Sequence, residues 1–233
     1  MNRFLKTTVL LASAALACAS CKFVSVKGGW GSEGVLVASD SLVTKSIDVD
    51  DFKSLRIDVP CDMKFTVGEK SVSVYAADNL VDALAFEVDS TGCLSISTPD
   101  YSSLRNVRKV VFNVSAPSLE GLYINGASDV ELEGDIVARS FSLDINGAGD
   151  IEADSIKAQD VSVSVRGAGD IDIENLDCEN LTVGVSGAGD CTFAGRADNA
   201  DIDVRGAGDV DISELDVRNL QKSVKGAGTV RTK

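Results

Sequence analysis

The chain has no histidine, few aromatic residues and far fewer basic than acidic residues. The lack of histidine removes the commonest general base and the commonest metal ligand. With 36 acidic and 22 basic residues the net charge is −14, and a surface of this sign repels nucleic acid and anionic lipid headgroups. The glycines include no Gly-x-x-x-x-Gly-Lys-Ser/Thr pattern of the kind that cradles phosphates. We therefore expect no nucleic-acid partner, no cofactor and no catalytic site.

The sequence also has no hydrophobic run long enough to span a bilayer. The apolar stretch of residues 7–17 is too short and follows two basic residues, which is typical of a signal peptide. Small residues precede Cys21 as in a bacterial lipobox. This predicts a signal peptide with lipobox over residues 1–21 and a lipid on Cys21 that anchors the chain to a membrane. Cys18 is the alternative lipidation site, and ordinary secretory cleavage after Ala17 is a third interpretation.

Two segments follow the predicted lipidation site. Residues 22–42 begin with a glycine-rich stretch and are predicted to form a flexible tether. From residue 43 to residue 120 apolar and polar residues alternate, which predicts an irregular β-rich part with one side of each strand buried. Residues 78–85 are the only plausible short helix in this part.

Cys61 and Cys93 lie beside predicted strands of a chain that carries an export signal. Disulfides form in the oxidising compartments that exported proteins reach. The sequence therefore allows a Cys61–Cys93 disulfide, and it equally allows two unpaired, half-buried thiols.

The dominant feature of residues 121–233 is a four-residue signal that recurs about every twenty residues. Its clearest form is Gly147-Ala148-Gly149-Asp150, and related tetrapeptides begin at Gly126, Gly167, Gly187, Gly206 and Gly226. A fixed period of this length is typical of repeat proteins, in which each repeat packs against its neighbours. Residues 121–233 are therefore predicted to be a stack of similar coils.

Apolar residues occupy equivalent positions in successive repeats, as in the column Ile145, Val165, Val185 and Val204. The register holds through each turn and slips by one residue only at the opposite corner, which hairpins would not produce. The pattern predicts an all-β chain that forms a parallel β-solenoid, a single-stranded β-helix of right-handed winding with coils about 4.8 Å apart. Glycine is expected to form the sharp reversal, alanine to point into it, and Lys222 to end the core as a polar cap.

The repeated turns, with Phe52-Lys53-Ser54-Leu55-Arg56-Ile57 and residues 63–69 before them, resemble the head GIN domain family of putative auto-transporter adhesins. The resemblance covers roughly residues 43–230, and Ser128 and Thr229 depart from the repeated tetrapeptide at its two ends. It implies an exported bacterial protein, a β-helix reminiscent of pectin lyases, a role in cell adhesion and no conserved catalytic residues. In bacteria rich in this family, surface lipoproteins carry acidic residues after the cysteine. Residues 22–27 carry none, which favours the periplasmic face of the outer membrane over the cell surface.

Carboxylates at and just after the turns are the candidate site. Stacking predicts one row at the fourth turn position and a second, outward-facing row beside it. The first row contains Asp129, Asp150, Asp170, Asp190 and Asp209, and the second contains Glu131, Glu152, Asp172 and Asp211. The turn aspartates have a local explanation, because aspartate accepts backbone N–H groups in turns. The alternative is a ladder that binds a cationic partner or weakly binds Ca²⁺.

Three classes of function remain open on the sequence alone. The first is a lipid-anchored adhesion or binding module with a cell-surface, glycan or protein ligand. The second is a structural envelope protein without a ligand, and the third is a polysaccharide-active β-helix enzyme. The third is disfavoured because acid–base catalysis needs a perturbed pair of carboxylates in a cleft, whereas the outward positions here are mostly Ser and Asp. The sequence leaves the oligomeric state open.

Overall fold

Strands make up most of the structure, a computed structural model that describes residues 34–233. Alternating apolar and polar residues rich in Val and Ile favour strands. The one helix among the described residues is α1 (Asp78–Ala83), two residues shorter than predicted. None of the helical structure in residues 34–233 is long and apolar enough to cross a membrane. The expectation of an all-β chain is confirmed, and the main sheet is open and contains both parallel and antiparallel pairs.

The C-terminal part is built from strands that pair in parallel, one repeat apart. They are β10 (Gly121–Val137), β11 (Ser140–Gly187), β12 (Cys191–Gly206), β13 (Val210–Gly226) and β14 (Val230–Arg231). Each of these strands pairs in parallel with the next. Equivalent turn residues are partners, since Gly187 faces Gly206, which faces Gly226. Successive repeats are therefore not hairpins.

The register between repeats changes at one corner. Shifts between paired strands occur after Leu132, after Ile173 and after Thr192, each in the segment that follows a turn. The one-residue length differences among the repeats are absorbed at this corner, as predicted. A local irregularity of this kind accommodates an extra residue without disturbing the ladder on either side.

Strands of the N-terminal part extend the same stack. β3 (Ser54–Ile57) pairs in parallel with β10 before its turn, and β4 (Cys61–Val67) pairs with β10 after its turn. Beyond them, β7 (Cys93–Ser97) pairs in parallel with β3, and β9 (Val111–Ala116) pairs in parallel with β4. The order in the stack is therefore 93–116, 54–67 and 121–137, which differs from the order along the chain. The pairing crosses the division at residue 120 that the sequence suggests.

Antiparallel strands complete the N-terminal end. β2 (Leu42–Ile47) pairs with β5 (Ser71–Ala77), β5 pairs with β9, and β6 (Ala85–Val88) pairs with β7. β1 (Val35–Val37) pairs in parallel with β8 (Ser103–Arg105) as a separate two-stranded sheet. The predicted tether of residues 22–42 is therefore too long at its C-terminal end, because Leu36 is buried in the core and fixes β1. Residues 22–33 of that tether lie outside the described residues.

One core runs through the stack. The inward columns are buried as predicted, and Ile145, Val165, Val185 and Val204 have no exposed surface. In the last repeat the equivalent columns are open, because Leu220 is 37% exposed, Val224 is 42% exposed and Lys222 faces solvent. The core ends at this repeat, in agreement with the predicted polar cap.

Candidate binding surface

Each Gly-Ala-Gly-Asp turn is shaped by the turn stacked against it. Gly167 has a φ of +142°, and a Cβ at that position would lie 1.9 Å from the carbonyl oxygen of Gly147. A Cβ at Gly189 would lie 2.3 Å from the carbonyl oxygen of Gly169. Only glycine fits these positions, because the stacked backbones approach too closely for a side chain. The turn alanines are exposed, so the expectation that they point into the corner is wrong: the glycine at the third position occupies the inside.

The turn aspartates lie in a row, and four of the five bond to the following repeat. Oδ1 of one aspartate accepts the backbone N–H of the residue at the same position one repeat later, at 2.8 to 3.4 Å. The acceptors are Asp129, Asp170, Asp190 and Asp209. At the end of the series the Thr229 hydroxyl also donates to Asp209, at 2.9 Å. These carboxylates therefore connect repeats, which goes beyond the local turn role that the sequence suggests.

A second row of acidic residues lies beside the turn aspartates. The register places Glu131 against Glu152, and it places Asp172 against Thr192, which faces Asp211. Their side chains are exposed or half-buried. We call the two rows together the acidic face: Asp129, Asp150, Asp170, Asp190, Asp209, Glu131, Glu152, Asp172 and Asp211. Two shallow cavities of about 480 Å³ and about 330 Å³ lie along it, so the face is grooved and open to solvent.

Within residues 34–233, basic side chains reach the acidic face only near its ends. At one end Lys64 pairs with Glu133, and at the other Arg231 lies 3.5 Å from Asp209 and 3.8 Å from Asp211. In the part of the chain that the structure describes, no lysine or arginine pairs with the central members Asp150, Glu152, Asp170 and Asp172. Among residues 34–233, the centre of the face therefore presents negative charge that no basic side chain neutralises. Such a field attracts cations.

The carboxylates of the acidic face do not converge on one point. Across residues 34–233 no group of three or more carboxylate or thiol side chains is placed to hold a metal ion. A tight Ca²⁺ site needs six to eight oxygen ligands, whereas neighbouring strands hold the carboxylates of one row about 4.8 Å apart. The geometry suits loosely held cations better than one coordinated ion.

On the outward surface formed by the segments before the turns, two arginines pair with carboxylates of that surface. Nη1 of Arg166 donates to Oδ1 of Asp144 at 2.9 Å, and Arg205 pairs with Asp203. Both arginines therefore pair with carboxylates of their own surface and not with the turn aspartates. This difference makes the acidic face the more strongly charged of the two surfaces.

An asparagine ladder lies at another corner of the repeats. Nδ2 of Asn219 donates to Oδ1 of Asn199 at 2.9 Å, Asn199 donates likewise to Asn180 at 2.9 Å, and Asn180 donates to Asp160 at 2.7 Å. This ladder is not among the features predicted from the sequence, although asparagine recurs at equivalent repeat positions. Stacked amides that satisfy one another hold the repeats in register.

The cysteines of the described part are free and buried. Cys61 and Cys93 form no disulfide, so of the two alternatives the unpaired thiols are the ones present. Burial raises the pKa of Cys61 to about 12 and that of Cys191 to about 12. These thiols are core residues and poor nucleophiles, because the reactive species is the thiolate. The predicted lipidation sites Cys21 and Cys18 lie outside the described residues.

The carboxyl groups whose pKa is clearly shifted in the described part are all shifted downward. They are Asp51, Asp78, Asp89, Asp135 and Asp211. At Asp89 the Thr91 hydroxyl and then the backbone N–H of Cys93 lower the pKa by bonding to the carboxylate. A general acid for glycoside hydrolysis needs the opposite shift. These five carboxylates therefore suit structural hydrogen bonds better than proton donation.

Comparison with known families gives one match. The family described as "Putative auto-transporter adhesin, head GIN domain" matches residues 51–174 and again residues 152–233. The two matches overlap within the repeats, as expected when one pattern recurs along a chain. None of the curated proteins matches the sequence.

Solved structures with the same fold are known from bacteria. A putative adhesin from Bacteroides fragilis is 21% identical with a TM-score of 0.60, and the alignment covers 85% of this chain and 100% of that one. A putative lipid binding protein from Parabacteroides distasonis is 18% identical with a TM-score of 0.58, covering 86% of this chain and 100% of that one. A putative adhesin from the same species is 18% identical with a TM-score of 0.55 and the same coverage. At these identities the similarity establishes a shared fold and nothing more.

Proposed function

Since the chain belongs to the family of putative auto-transporter adhesins with a head GIN domain, we propose that it is a non-catalytic adhesion or binding module of the cell envelope. In this proposal the chain is exported and held at the outer membrane by a lipid on Cys21, with Cys18 as the alternative. Its parallel repeats form a right-handed β-solenoid that displays a long, regular surface to a glycan or protein ligand.

The observation that carries the proposal is the acidic face. Its carboxylates come from successive repeats and lie in two rows, and those at the centre of the face pair with no basic side chain of the described residues. Asp150 and Glu152 line both of its cavities, which are shallow. A shallowly grooved, charged and repetitive surface can meet an extended partner over several repeats at once. The net electrostatic field favours a partner surface that is basic or carries bound cations.

The enzymatic alternative has less support. The shifted carboxyl pKa values of the described part are all lowered, and the buried Cys61 and Cys191 thiols have strongly raised pKa values. Acid–base or nucleophilic catalysis would use a raised carboxyl pKa or a lowered thiol pKa. This observation favours binding over hydrolysis as the role of the exposed surfaces.

The test is a glycan array probed with the mature protein and with two charge-reversal variants. Glu152→Lys/Asp172→Lys changes the centre of the acidic face, and Asp201→Lys/Glu214→Lys changes the same number of exposed carboxylates elsewhere. We expect the wild type and the second variant to bind the same glycans and the first variant to lose at least tenfold in affinity, about 1.4 kcal/mol.

Other outcomes of this experiment have definite meanings. Equal binding by all three proteins would show that the acidic face does not contact the ligand. Release of reducing ends from acidic polysaccharides would indicate an enzyme. If the array and a panel of cell-surface proteins bind nothing, and deletion of the gene nevertheless weakens the envelope, the protein is a structural component without a ligand.

The lipid anchor has its own test. Cys21→Ser should prevent lipidation and move the protein to the soluble fraction, whereas Cys18→Ser should leave it with the membrane. If only Cys18→Ser releases the protein, the anchor is on Cys18, and release by neither variant would refute the lipoprotein assignment.

We also propose that the acidic face binds Ca²⁺ weakly and without a single defined site. The dissociation constant would lie in the millimolar range, as in extracellular modules. Melting curves in millimolar Ca²⁺, in Mg²⁺ and in NaCl of matched ionic strength test this. A larger rise in Tm with Ca²⁺ than with NaCl is expected. An equal rise would mean that the ions only screen charge.

A further inference from the structure

The last repeat leaves one strand edge without a partner. Over residues 217–226, called here the open edge, β13 pairs with β12 on one side, while β14 covers only Val210 and Asp211. No other strand among residues 34–233 pairs with the open edge. Leu220 and Val224 are 37% and 42% exposed, whereas their counterparts Ala200 and Val204 in the preceding repeat are buried. One more parallel strand would bury these two side chains as each repeat buries those of the repeat before it.

The asparagine ladder also ends at the open edge. Asn219 gives its Nδ2 donor to Asn199, and its own amide oxygen has no donor among the described residues. Each earlier member of the ladder accepts from the following repeat. An incoming strand with a side-chain amide at this position would continue the ladder.

Charge distinguishes the open edge from the rest of the molecule. Every charged residue of the open edge is basic: Arg218, Lys222 and Lys225. Lys222 occupies the inward column between Leu220 and Val224, at a position where earlier repeats have Val183 and Ile202. A strand laid over this column would cover the ammonium group, which is costly unless a carboxylate pairs with it.

We propose that the open edge is a strand-addition site for an extended segment of a partner protein whose inward residues alternate apolar, acidic and apolar. The apolar residues cover Leu220 and Val224, and the acidic residue pairs with Lys222. Backbone hydrogen bonds to the exposed edge provide affinity, and the side-chain alternation provides specificity. This site is separate from the acidic face and does not depend on the function proposed for it.

Two other occupants fit the open edge less well. A second copy of the chain that stacked one of its own repeats there would place an apolar column over Lys222 and bury it unpaired. This is the known use of inward-pointing charge against edge-to-edge association. An anionic membrane would attract the lysines but would leave the backbone groups of the edge unsatisfied, which the hydrocarbon region does not tolerate.

The test uses fluorescent peptides based on residues 179–190 of the chain itself. In the register of the stack this sequence places Asn180 over Asn219, Leu181 over Leu220, Val183 over Lys222 and Val185 over Val224. The probe peptide carries Val183→Glu, which sets a carboxylate over Lys222. The control peptide carries Thr182→Glu, which adds the same charge on the outward side.

Fluorescence anisotropy with the mature protein should give an affinity for the probe peptide roughly tenfold or more above that for the control peptide. Lys222→Glu in the protein should reverse this preference, and Val224→Asp should weaken both peptides. Both protein residues are exposed, so these variants should fold, and unchanged melting temperatures verify that.

Three outcomes would overturn the proposal. Equal affinity for the two peptides would show that binding depends on long-range charge attraction and not on a carboxylate placed over Lys222. Concentration-dependent assembly of the wild type in sedimentation would mean that a second copy occupies the edge. Binding to phosphatidylglycerol vesicles without binding to either peptide would mean that the basic end meets a membrane.

Discussion

The glycines of this stack differ in how closely the neighbouring repeat approaches them. Gly167 combines a φ of +142° with backbone of the neighbouring repeat at 1.9 Å from a would-be Cβ. Gly184 lies inside a strand segment, and a Cβ there would contact nothing within 4 Å. Glycine is therefore required at position 167 and merely tolerated at position 184.

Alanine substitution at these two glycines is the prediction at the residue scale. Gly167→Ala should lower the free energy of unfolding by about 2 kcal/mol or more, since both the conformation and the contact are forbidden. Gly184→Ala should be neutral or should stabilise by about 0.5 kcal/mol, because it removes backbone entropy from the unfolded chain. Urea unfolding of both variants measures the difference. Similar losses at the two sites would contradict the stacking of the turns.

At the scale of an element, the turn aspartates link neighbouring repeats by hydrogen bonds. Oδ1 of Asp190 accepts the backbone N–H of Asp209 at 2.9 Å, and its own N–H donates to Asp170 at 3.0 Å. Asp190→Ala removes the acceptor and should cost about 1 kcal/mol. Asp190→Asn keeps an acceptor oxygen and should cost clearly less. If denaturant unfolding gives the same loss for both variants, charge and not the hydrogen bond explains the aspartate.

The elements also show what could be read from the sequence. The period near twenty, the inward columns and the corner at which registers slip were all predicted, because they repeat and each repeat supports the others. The stacking of residues 93–116 beyond residues 54–67 was not predictable, because these coils carry no Gly-Ala turn and the stack order differs from the chain order. The lack of ion pairs at the centre of the acidic face, among the described residues, was not predictable either. It depends on where the side chains point, and the composition does not determine that.

For the whole molecule, hydrogen-bonded carboxylates set the response to acid. The pKa of Asp89 is lowered by the Thr91 hydroxyl and the backbone N–H of Cys93, and that of Asp211 by the Ser213 hydroxyl and backbone N–H. A lowered folded-state pKa contributes stability above the unfolded-state value of 3.8 and loses it as pH falls through the folded-state value. Stability should therefore be flat near neutral pH and should fall below about pH 4.

The matching variant for this prediction is Asp89→Asn, which keeps the turn but lacks the titrating group. It should be less stable than the wild type at pH 7 and should lose less stability between pH 4 and pH 2. Urea unfolding as a function of pH measures both quantities. A steeper loss in the variant would contradict the assigned direction of the pKa shift.

Both proposed binding surfaces exist only if the repeats stack in parallel, and a distance measurement tests this most directly. Spin labels can be placed on Ala127, Ala207 and Ala227, which are exposed at equivalent turn positions. The buried native cysteines of the described part, with raised thiol pKa values, should not compete for the label. Double electron–electron resonance should give about 19 Å for the pair 127/207 and about 24 Å for the pair 127/227, one strand spacing more. Equal distances, or a difference far from about 5 Å, would contradict the parallel stack.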